Sequence, residues 1–215
     1  MITAIKKNIL NFLNPIGLGA FIQLASKSYL KEIGWFVSVR NKSSINKNKQ
    51  AIPWVTYPFT HFIEERLTKE FIIFEFGAGA STLWFSDKVH KVYSVENNLS
   101  WKESIQNKNI PNVTIEYADK DTDAYSQHIL KYNFNFDLVL VDGRNRVKCI
   151  KESISKLSTG GVLVLDNSER EIYNEGIIFL KENGFKRLDF WGMAPSIAQL
   201  SCTSVFYKEN NCLGL

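Results

Sequence analysis

The hydrophobic pattern of the chain changes character near residue 70. From there to the C-terminus, short β-rich runs alternate with amphipathic stretches of about ten residues, as expected for βα units building a parallel sheet. The runs are FIIFEF (71–76), KVYSVE (91–96), NVTIEYA (112–118), FDLVLVD (136–142), GVLVLD (161–166), FKRLDFW (185–191) and TSVFYK (203–208), which predicts seven strands. Helices are expected at 80–88, 99–107, 121–132, 145–157 and 171–183, the last closed by Asn183–Gly184. Strands four and five have continuous Val/Leu cores and read as buried on both faces. The last two runs are separated by a ten-residue loop with no helix, so they should pair as antiparallel neighbours. The expected fold is a Rossmann-like, doubly wound α/β sheet of seven strands, mostly parallel with the last strand antiparallel, plus an N-terminal helical extension.

Upstream, AIPWVTYPFTHFIEERL starts with two proline-punctuated turns and becomes helix-like over 60–67. NKSSINKNKQ (41–50) reads as a surface loop or linker. It divides an N-terminal extension, residues 1–50, from a main domain, residues 51–215.

At 215 residues, 45% hydrophobic and 22% charged, the chain lies well away from the composition of disordered proteins. Three cysteines, Cys149, Cys202 and Cys212, fit neither a disulfide framework nor a zinc site, which points to a reducing, cytoplasmic setting. Residues 1–50 hold eight Lys or Arg and one acid, Glu32, whereas the rest holds 18 basic and 21 acidic residues. No basic stripe with interleaved aromatics crosses the main domain, so nucleic acid is not an expected partner. Lys6 and Lys7 precede ILNFLNPIGLGAFIQLA, which is too short and too polar to span a bilayer. Three readings remain for this segment: helical packing, a basic element lying on an anionic membrane surface or docking a partner, and a cleaved signal. The oligomeric state is left open.

The strongest chemical signal is Glu75-Phe76-Gly77-Ala78-Gly79-Ala80-Ser81-Thr82, at a strand-to-helix junction. Glycines there allow a tight turn and let a ligand approach the backbone at the helix N-terminus. Glu96 ends the next strand 21 residues after Glu75, where a carboxylate can accept hydrogen bonds from ribose hydroxyls. Together they suggest an adenosine-containing ligand. Thr82 stands where a dinucleotide fingerprint has its third glycine, and no phosphate-binding Gly-Lys-Ser/Thr loop exists. Glu75 beside the turn suits a cationic amino group better than a pyrophosphate.

On these motifs, residues 71–208 resemble the class I S-adenosylmethionine-dependent methyltransferases. The resemblance implies that Gly77 and Gly79 flank the methionine part of the cofactor, that Glu96 holds the ribose hydroxyls and that Asp119 lies near the adenine. It also implies that Glu75, Ser81, Asn97 and Asp142 bind the cofactor. Asp142 ends strand four and Asp166–Asn167 end strand five, similar to the Mg²⁺ ligands of catechol O-methyltransferase and its relatives. Asn145 replaces the lysine often found there. The alternative for Asp142, Asp166 and Asn167 is helix capping or cofactor contact without metal.

The Asn/Asp-Pro-Pro-aromatic signature of nucleic-acid base methylation is absent, so a small-molecule or sugar oxygen is the expected acceptor, with Asp142 and Arg144 as catalytic candidates. Arg144 and Arg146 suit an anionic acceptor, or else Arg146 covers the helix surface. His61, Trp54, Tyr57 and Trp191 are candidates to line the acceptor pocket, or else act as packing anchors. The alternatives to a methyltransferase are an aminopropyltransferase of the same fold and a catalytically silent cofactor-binding module.

Overall fold

The computed structural model describes residues 14–215. The Lys6–Lys7 pair and the start of the apolar run lie outside these residues. The chain divides into two compact units. The first takes in the chain up to Ala51 together with Pro195–Ile197, and the second comprises Ile52–Ala194 and Ala198–Leu215.

The described residues of the first unit form three short α-helices, α1 (Leu18–Ser26), α2 (Tyr29–Ile33) and α3 (Trp35–Asn41), after a 3₁₀ turn at Asn14–Ile16. Gly34 ends α2 and begins α3 at φ +89°, and a Cβ there would lie 2.2 Å from the Lys47 nitrogen. Only glycine fits that junction. The polar stretch 41–50 folds back on itself as a loop. The Asn46 side chain accepts from the backbone N–H groups of Asn48 and Gln50, and Ile45 bridges to Ala51. Trp35 Nε1 donates to the Ile197 carbonyl, 3.1 Å away.

The second unit follows the expected alternation. α4 (Tyr57–Glu64) leads into β1 (Ile72–Phe76), α5 (Ala80–Ser86), β2 (Lys91–Glu96), α6 (Leu99–Gln106), β3 (Val113–Tyr117) and β4 (Phe136–Val141). α7 (Arg146–Ser153), β5 (Leu157–Asp166), α8 (Asn174–Glu182), β6 (Lys186–Ala194) and β7 (Ile197–Tyr207) complete it. The seven strands lie in the order β3-β2-β1-β4-β5-β7-β6. The sheet is parallel through β5, and β7 runs antiparallel to β5. Central residues of β4 and β5, among them Val139, Val141, Leu163 and Leu165, are fully buried, as their unbroken apolar runs require. They pack with Phe74, Phe76 and Phe136 in one core.

Winding reverses between the neighbours β1 and β4, so the crevice beyond their carboxyl ends is the ligand position of such sheets. Three local expectations change. The 121–132 helix is only a 3₁₀ segment at Ser126–Lys131, because Asp119 closes a turn by accepting from the Asp121 N–H and the Thr122 hydroxyl. Strand five starts at Leu157 rather than 161, with a register shift opposite Phe136 that brings Gly161 against the Phe136 carbonyl. The ten-residue loop before the last strand is absent. β6 and β7 both continue outward to a tight turn at Pro195–Ser196, where Ser196 has φ +60°. Pairing between the two strands supplies the hydrogen bonds that an alternating sequence pattern would have signalled.

Candidate cofactor and acceptor site

The end of β1 runs into Gly77 at φ +96°, where a Cβ would sit 3.0 Å from Gly143 Cα. The turn after β1 and the turn after β4 are thus in backbone contact, and no side chain fits between them. The Gly77 N–H donates to the Val95 carbonyl and the Asp142 N–H to the Phe76 carbonyl, so three strand ends converge on one point. Gly79, in an extended conformation, opens α5, with its N–H donating to the Thr82 hydroxyl. Ser81 is buried in the first turn of α5.

Glu75 is fully buried beneath this turn. Ser94 donates to its Oε2 at 2.9 Å, whereas Oε1 has no hydrogen-bond partner among the described residues. Burial pushes the Glu75 carboxyl up to about 7, and the hydroxyls of Ser81, Thr82 and Ser94 offset only part of that rise. Glu96 is the hub between the loops. Its Oε2 accepts from the Ala78 N–H, and its Oε1 accepts from the N–H groups of Asn97 and Asn98. Both oxygens therefore face backbone donors, and the carboxylate fixes the turn on which a ligand would rest. Asn97 is half-buried beside it. Asp119 lies at the end of β3 on the same sheet edge, exposed, with its carboxylate closing its own turn.

The ends of β4 and β5 are joined by one side chain, Arg146. Its Nε donates to the Gly143 carbonyl, one terminal nitrogen to the Asp142 carbonyl and Oδ1 (both 2.8 Å), and the other to the Asp166 carbonyl and Asn167 Oδ1. All five guanidinium N–H groups have acceptors. Arg146 is buried rather than covering the helix surface, and it has no donor left for an anionic acceptor. A Mg²⁺ ion held by Asp142, Asp166 and Asn167 does not fit this arrangement, because the Arg146 guanidinium already bonds Asp142 Oδ1 and Asn167 Oδ1. Among the described residues no group of three or more His, Cys, Asp or Glu is arranged to hold a metal.

Asp166 Oδ1 accepts from the Thr203 hydroxyl at 2.7 Å, and Thr203 in turn accepts from the Thr56 N–H. Asp142 and Asp166 are both raised above the ordinary carboxylate range. Burial is the main cause for each; Glu75 adds to the rise at Asp142 and Asp142 to that at Asp166, against the pull of Arg146. Arg144 is exposed, and its guanidinium has no partner among the described residues. It lines a cavity of about 410 Å³ with Gly143, Asn145, Lys148, Ile172 and Tyr173.

Two side chains in this region carried no distinguishing signal in the sequence. Trp101 Nε1 donates to the Ala78 carbonyl, placing the half-exposed indole over Gly79. The buried Tyr125 hydroxyl sits against Gly143, 3.5 Å from the Arg144 nitrogen. His61 is exposed on α4, and Trp54 and Trp191 are about half-exposed, while Tyr57 is buried.

No protein-family description and no curated protein matches the sequence. Solved structures do match. A precorrin 8w decarboxylase of Methanobacterium thermoautotrophicum aligns with a TM-score of 0.54 at 16% identity, over 78% of this chain and 97% of that one. An rRNA methylase of Streptococcus thermophilus aligns at 0.55 and 14%, over 73% and 100%. A Streptococcus mutans protein described as a methyltransferase, solved in complex with SAH, aligns at 0.53 and 17%, over 71% and 99%. The chain shares its fold with these structures. The Glu75–Gly79 turn and Glu96 lie at the carboxyl edge of the sheet, at the ends of β1 and β2.

Two outcomes follow from the electrostatics. Arg146→Ala leaves two buried acids uncompensated and should cost about 3–5 kcal/mol in urea unfolding; EDTA should leave stability unchanged. Glu75 binds protons more readily folded than unfolded, so its contribution to stability is complete below its ordinary pKa of 4.5 and is lost as pH rises through about 7. Glu75→Gln should therefore stabilise the ligand-free protein by about 3 kcal/mol near pH 8 and by almost nothing near pH 4.

Proposed function

We propose that the chain is an S-adenosylmethionine-dependent methyltransferase acting on an oxygen of a small molecule or sugar. The observation that carries the reading is Glu75: a fully buried carboxyl beneath the Gly77–Gly79 turn, with no cation paired to it among the described residues. A buried acid in that state calls for a cationic donor. The amino group of S-adenosylmethionine is such a donor. When bound, the cofactor would supply an electrophilic sulfonium methyl group.

The chain's own residues would do the rest. Glu75 pairs with the cationic amino-acid end, and Glu96 holds the turn in shape, with Asn97 and Asp119 flanking the nucleoside side. Asp142 keeps Oδ1 on Arg146 and leaves Oδ2 without a hydrogen bond among the described residues, so it can accept the acceptor hydroxyl's proton. Its raised pKa makes it a better base than an ordinary carboxylate near neutral pH. Arg144, at the cavity mouth, holds an anionic substituent of the acceptor; its own pKa is too high for it to serve as base. Much of the rate then comes from holding the acceptor oxygen in line.

Isothermal titration with S-adenosylhomocysteine tests the cofactor reading. Affinity should rise between about pH 6 and about pH 8 as Glu75 ionises, with protons released on binding at the lower pH, and both effects should vanish in Glu75→Gln. Absence of binding at either pH would sink the reading. In a screen of hydroxylated small molecules and sugars, turnover is read as S-adenosylhomocysteine release. Asp142→Asn should lower kcat by about 10²-fold or more while leaving S-adenosylhomocysteine affinity within about threefold.

A further inference from the structure

Among the described residues, α1 presents a run of exposed apolar side chains. The helix has no charged residue, and every position except Gly19 is exposed. Phe21 is 62% exposed, with Leu18, Ile22 and Leu24 at 40% or more. Leu18, Phe21, Ile22 and Ala25 recur at the spacing that places them on one stripe of a helix. Soluble surfaces seldom leave such a stripe uncovered.

The charge of this unit is predominantly positive. Lys27 follows α1 directly, and the Lys31 ammonium donates to the Ser26 carbonyl at its C-terminal end. Arg40, Lys42, Lys47 and Lys49 are also exposed in this unit, against the single acid Glu32. The sequence ahead of the described residues adds Lys6 and Lys7 and no acid. A second copy of the same stripe would set like charges against each other, a repulsive arrangement. An anionic lipid surface accommodates both features, since apolar side chains enter the headgroup boundary while lysines meet the phosphates. At nine residues α1 is too short to cross a bilayer, and no described helix is long and apolar enough to do so.

We propose that the first unit docks on anionic membrane surfaces through the α1 stripe and its flanking lysines. The proposal is independent of the methyl-transfer reading and rests only on this unit. The test uses the full chain in cosedimentation with vesicles of phosphatidylcholine, with and without phosphatidylglycerol. Binding should require phosphatidylglycerol and weaken as salt is raised. Phe21→Ser with Ile22→Ser should reduce partitioning by about tenfold or more, as should Lys27→Glu with Lys31→Glu. All four residues are exposed, so melting temperatures should not change, and S-adenosylhomocysteine binding should be unaffected. Equal binding to neutral vesicles would overturn the electrostatic part. No vesicle binding would overturn the whole, as would a self-association in analytical ultracentrifugation that the Phe21/Ile22 variant abolishes without any lipid dependence.

Discussion

One buried guanidinium organises the crevice. The carboxyl ends of β4 and β5 carry two acids whose proximity is unfavourable, and no backbone hydrogen bond ties the two turns together there. Arg146 answers both problems, because its planar fork reaches three main-chain carbonyls and two side-chain oxygens. A lysine or a metal ion could neutralise the charge but could not bind five acceptors in that fixed geometry. The position of Asp142, and through it the shape of the cavity mouth at Gly143 and Arg144, depends on this side chain.

Arg146 does not settle the whole account of charge. Glu75 and Asp166 are buried and Asp142 is half-buried; Arg146 pulls on Asp142 and Asp166 but not on Glu75, and each is raised above its ordinary pKa. These acids hold an unfavourable excess of buried negative charge in the protein without ligand, which the positive amino-acid end of the proposed cofactor would offset. Glu96 has a separate role: it braces Ala78, Asn97 and Asn98 from below, joining the β1 and β2 turns into one rigid rim. Trp101 closes the rim from above.

The two units separate two kinds of chemistry. The acidic crevice lies within the sheet unit, while the first unit concentrates positive charge and exposed apolar surface. Among the described residues of the first unit, the hydrogen bonding, from Asn46 in its loop to Trp35 on Ile197, holds the unit's own turns and helices. Its composition suits a surface that meets something outside the molecule.

The sequence alone determined the fold class, the strand positions of the parallel half apart from the start of β5, and the glycine turn with its two acids. These depend on local periodicity and on glycine's conformational freedom, both of which are visible one residue at a time. Tertiary structure alone decided the rest. Arg146 reads as an ordinary helix-surface arginine until β4 and β5 are adjacent, and only then do Asp142, Asp166 and Asn167 become its acceptors instead of metal ligands. Trp101 and Tyr125 touch the site through contacts 23 and 19 residues distant in the chain, to Ala78 and Arg144, which no local pattern encodes. The outward run of β6 and β7 was hidden for the same reason: strand pairing, not side-chain alternation, holds those residues extended.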